Sequence, residues 1–134
     1  MKMNSVVHFE MPAKDKKRVS KFYADTFGWH MQILGQEMGE YVLATTTESD
    51  DKTGRPKNPG AINGGFFGYD PVKPGFQYPS VVIGVEDLQK SIEMVKAAGG
   101  EVFGEPMDIP GIGKYVSFGD TEGNRVGMLQ PSMG

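Results

Sequence analysis

The sequence predicts an α+β fold built from two βαβββ modules, and three observations carry that expectation. Residues 8–28 can be laid over residues 80–100 without a gap, so that His8 falls on Ser80 and Gly28 on Gly100, with the same order of strand, helix and glycine stop in each half. Each helix-like stretch is followed by three short strand-like runs separated by Gly, Pro, Asn and Asp. The 134 residues suit one domain, whereas halves of about 65 residues would each be marginal alone. Residues 1–134 are therefore expected to form a single domain. Module 1 spans about 5–68 and module 2 about 79–131, joined by a linker at 69–77 that contains two prolines.

The elements follow in order. Residues 5–11 alternate with period two, placing Val6, His8 and Glu10 on one face and Val7, Phe9 and Met11 on the other, and Pro12 is expected to end the strand. Asp15 is the expected N-cap of a helix over 16–27, with Val19, Phe22, Tyr23 and Phe27 as its core face and Gly28 as its stop. Strands are expected at 31–34 and 40–46. An exposed loop at 47–59 precedes a glycine-rich strand at 61–68. In the second half, Val81, Ile83 and Val85 share one face of a strand at 80–85. Glu86 and Asp87 open a helix with Leu88, Ile92, Val95 and Ala98 as its apolar stripe. Strands at 101–104 and 113–119 flank a loop at 106–113 whose glycines are potential lid hinges or simple turn formers. The turn Thr121-Glu122-Gly123-Asn124 leads into a last strand at 125–129.

Composition excludes several functions. Net charge is −3 with dispersed basic residues, which argues against a nucleic-acid or anionic-membrane surface. No apolar run approaches 18 residues and no signal-peptide core is present, so a cytoplasmic location is expected. Zero cysteines remove disulfides, thiolate metal sites and cysteine nucleophiles together. No P-loop, GxSxG elbow or HExxH pair occurs, and the glycines of GAINGG lie in a strand with no helix following.

Two βαβββ units carrying FYADTFGW after the first helix, AAGG after the second and DTEGN before the last strand resemble the vicinal oxygen chelate superfamily. That superfamily includes glyoxalase I, extradiol dioxygenases, fosfomycin-modifying enzymes and bleomycin-binding proteins. HFEMP and IPGIGKYVSFGDTEGNRVGMLQP are most similar to its glyoxalase-related members that mostly lack an assigned reaction, and the likeness covers about 6–131. The resemblance implies a curved mixed-sheet cup with the helices outside, a small-molecule ligand and a homodimer. In metal-dependent members, the first and last strands of each module supply the ligands. Those positions map onto His8, Ser80, Gly127 and the stretch around 63–66, where no Asp or Glu occurs between Gly54 and Tyr69. One imidazole is too few for a catalytic metal site, which needs about three protein ligands. No metal, no cofactor and no metal-dependent glyoxalase I reaction are expected.

What remains is a cup with selected polar groups. His8 and Glu10 are the candidate catalytic or ligand-binding centre, with Ser80 opposite and Arg125 nearby. Trp29 and Tyr41 are a candidate stacking wall, and Phe66 and Tyr115 complete the candidate lining. The alternatives are structural: a polar network of His8, Glu10 and Arg125 that fixes register, and a Trp29 that serves the core or a dimer seam. A carboxylate beside the imidazole would favour the imidazolium. Two function classes follow. One is a glyoxalase-like small-molecule-binding protein; the other is a lyase or isomerase acting on a small oxygenated substrate with His8 or Glu10 as general base.

Overall fold

The period-two pattern at the start of the chain becomes β1 (Val6–Ala13) in the computed structural model, which describes residues 2–132. The chain divides into two units. One comprises His8–Pro79; the other comprises the described residues up to Val7 together with those from Ser80 onward.

In the first unit β1 is followed by α1 (Lys16–Phe27), β2 (His30–Ile33), β3 (Val42–Thr45) and β4 (Asn63–Gly68). The strands lie in the order β2-β3-β4-β1, with β1 and β4 parallel and the other pairs antiparallel. The helix begins where the sequence places it, because the Asp15 carboxylate accepts the Arg18 backbone N–H at 3.0 Å. It stops at Gly28, whose φ of 72° suits a residue without a Cβ. One face of the sheet packs on α1 through Ala13, Val42, Ala44 and Phe66, with Phe9, Met11, Val19, Tyr23, Trp29 and Met31 around them. The expected division of β1 holds here, with Phe9 and Met11 on the helix side.

The second unit repeats the plan with β5 (Ser80–Gly84), α2 (Leu88–Ala97), β6 (Glu101–Ile109), β7 (Gly113–Gly119) and β8 (Arg125–Pro131), in the order β5-β8-β7-β6. Asp87 caps α2 by accepting the Lys90 N–H at 3.1 Å. Asp15 and Asp87 coincide in the same gapless overlay that pairs His8 with Ser80, so the repeat extends to the caps. Val85, Leu88, Ile92, Val116 and Met128 form this unit's core.

Four expectations change. Pro12 does not end β1; it pairs with Phe67 one residue before the strand's end, where a missing N–H costs little. Phe22 and Phe27 are exposed: Phe22 lies about 100° round the helix from Tyr23, and Phe27 continues the Val19–Tyr23 row but is the last residue of α1, outside the cluster that packs on the sheet. Ala98 is exposed at the C-cap of α2 instead of completing its apolar stripe. The segment 106–113 is not a continuous loop. β6 runs on to Ile109 through a register shift between Phe103 and Met107, and Pro106 sits in that irregularity of an edge strand.

Candidate functional site

Alternation along β1 puts His8 and Glu10 on the face away from Phe9 and Met11, and the parallel register sets Glu10 opposite Gly65 on β4. Gly65 contributes no side chain, and the ring of Tyr41, the residue just before β3, fills the space. A methyl group built at 65 would overlap the Tyr41 phenol. The Tyr41 hydroxyl donates to Glu10 Oε2 at 2.9 Å, and His8 Nε2 lies 3.4 Å from the same hydroxyl. Glu10 is 6% exposed, so its carboxylate is held among protein groups and not in bulk water. His8, Tyr41 and Glu10 thus form one polar chain.

Burial pushes the His8 pKa below its ordinary 6.5, and the Glu10 charge opposes that shift without overcoming it. The imidazolium expected from a neighbouring carboxylate is therefore replaced by a neutral imidazole. The sign for stability follows. Below 6.5 the unfolded chain binds a proton at this position more readily than the folded one, so stability rises with pH through the window beneath 6.5 and is lost as pH falls through it. Urea midpoints at pH 7 and pH 5 should differ more for the parent than for His8→Gln; equal differences would remove His8 from the account.

The second unit carries the same device. Val82 of β5 is opposite Gly127 of β8, and the ring of Tyr115 from β7 lies over Gly127, where a Cβ would sit 2.7 Å from the phenol oxygen. Arg125 is buried and donates from Nη2 to the Tyr115 hydroxyl at 3.3 Å. Ser80 Oγ is buried and has no hydrogen-bond partner among the described residues. Tyr115 and Arg125 therefore form this unit's polar pair, and Ser80 makes no hydrogen bond to either. A separate hollow of about 310 Å³ at the β6–β7 turn, lined in part by Asp108, Lys114 and Gln130, shares no residue with it.

Trp29 and Phe66 stand elsewhere. Trp29 stacks on Tyr23 at 4.6 Å with a 12° interplanar angle, and Phe66 meets the same ring at 5.4 Å. Both are packed in the helix-side core, so neither forms a wall with Tyr41. The register explains the choice between adjacent aromatics: Phe66 pairs with Met11, whereas Phe67, buried against Phe76 at 5.2 Å, shares the Glu10 face. Alternation requires Phe66 and Phe67 to face opposite ways without saying which faces which, and the sequence reading, which takes Phe66, misses the coupling of each tyrosine to a last-strand glycine. The available signal was glycine at both last-strand positions. Among the described residues, no three His, Asp or Glu side chains are grouped so as to hold a metal ion.

Residues 5–128 match the family model of the Glyoxalase/Bleomycin resistance protein/Dioxygenase superfamily. The chain belongs to this superfamily. A glyoxylase-like domain-containing protein of Didymella fabae is 32% identical over 120 residues, covering 86% of this chain and 84% of that one. A probable lactoylglutathione lyase of Vibrio parahaemolyticus is 28% identical over 134 residues, covering 97% and 93%. Among solved structures of the superfamily fold, a variant of Streptomyces coelicolor methylmalonyl-CoA epimerase in complex with 2-nitronate-propionyl-CoA gives a TM-score of 0.69 at 13% identity, over 98% of this chain and all of that one. These members share the fold while differing in chemistry, so function has to be argued from the side chains present.

Proposed function

We propose that this chain is a glyoxalase-like small-molecule-binding protein whose site works without a resident metal. The observation that carries the proposal is the Tyr41 phenol, hydrogen-bonded to Glu10 and seated over Gly65 of β4, the strand on which metal-dependent relatives would need a donor side chain. The residues present do not fit a divalent ion: Gly65 and Gly127 bring no donor atom, and a serine hydroxyl at 80 is a poor one. His8, Tyr41 and Glu10 supply hydrogen-bonding groups of fixed direction for a small oxygenated ligand; within the second unit, Ser80, Tyr115 and Arg125 are that unit's own candidate ligand-binding groups. The proposal takes residues 1–134 as one domain, acting as a homodimer in the cytoplasm. Light scattering that returns a mass near 14.6 kDa at micromolar concentration would contradict the dimer.

A second reading is favoured by one observation. A neutral His8 is a competent general base near neutral pH, which suits a lyase or isomerase that moves a proton beside a carbonyl group. A thermal-shift screen with small hydroxylated carbonyl compounds, run with and without EDTA, tests the binding reading. Stabilisation that survives EDTA and is lost in His8→Ala is the expected result; stabilisation that requires an added divalent ion would overturn it.

A further inference from the structure

We propose that Tyr41 is a positioning residue that sets the tautomer of His8, and that Gly65 is glycine so that the Tyr41 ring can reach it. The inference rests on the metal-free site described above and adds the class of ligand group it recognises. A carboxylate has no proton to give, so the 2.9 Å bond between Tyr41 and Glu10 uses the single phenol proton. The same oxygen lies 3.4 Å from His8 Nε2, and with the phenol proton committed to Glu10 the imidazole is the donor there. His8 then carries its hydrogen on Nε2, and Nδ1 becomes the ring's acceptor. A site built this way receives a ligand O–H or N–H at His8, and a ligand hydroxyl is the group that fits an oxygenated small molecule. The second unit repeats the arrangement of phenol over glycine at Tyr115 and Gly127, so the device marks both modules and is not an accident of one turn.

The chain has two histidines, and His30 is exposed, which makes a nitrogen-15 NMR measurement on the ligand-free protein direct. The parent should show His8 as the Nε2–H tautomer. Tyr41→Phe keeps the ring, removes the hydroxyl, and should convert His8 to a mixture of tautomers while the His30 signals stay put. Gly65→Ala retains Tyr41 but obstructs its ring, and should give the same change at His8. An Nδ1–H tautomer in the parent overturns the proposal outright, even if both variants fail to fold. A folded Tyr41→Phe protein with an unchanged His8 tautomer overturns it as well. No ligand is present in these measurements, so their outcome is separate from the success or failure of the binding screen.

Discussion

Phe66→Ala is expected to lower stability by about 3–5 kcal/mol, the range for removing a buried aromatic side chain. Phe66 is 1% exposed, stands beside Val42 at 0% and Ala44 at 1%, and meets Tyr23 at 5.4 Å. Its neighbours are fixed in strands and in α1, so the space left behind would not close. Phe66→Leu, which keeps most of the volume, should cost only about 1 kcal/mol. Urea titration of the pair separates the two roles this position has been given. A ligand-lining aromatic would spare stability and lose binding on truncation; the core residue described here does the reverse.

Gly113→Ala should destabilise by about 3 kcal/mol or more, from backbone strain and overlap together. Gly113 has φ of 147°, and a Cβ there would overlap the Gln130 carbonyl oxygen and lie 2.9 Å from the Pro131 Cα, both of them backbone atoms that cannot turn aside. The same glycine reads in the sequence as either a lid hinge or a turn former, and a hinge in a mobile lid would accept alanine with little loss. Thermal denaturation of the variant therefore decides between a closely packed start to β7 and a flexible loop.

The fold was largely legible because its signals are local or repeated. The caps at Asp15 and Asp87, the stop at Gly28 and the alternation in β1 each depend on a few neighbouring residues, and the internal overlay makes the N-caps count twice. The site was legible in part. His8 and Glu10 follow from alternation alone, but their coupling to Tyr41 depends on a register between distant strands that no local pattern encodes. Phe66 was preferred to Phe67 for the same reason, since alternation says that adjacent residues face opposite ways but not which way each faces. The protonation of His8 differs from the expectation because charge attraction is visible in a sequence while burial is not. β6 ran past Pro106 because an edge strand with an irregular register tolerates a residue that lacks an N–H.

The proposed metal-free site rests on hydrogen-bonding side chains standing where metal-dependent relatives would need ligands. Elemental analysis of the purified chain after dialysis against metal-free buffer tests it most directly. The account predicts no stoichiometric nickel, zinc, manganese or iron, because Gly65, Gly127 and Ser80 supply no adequate donor. Retention of about one such ion per chain, lost in His8→Ala, would contradict it.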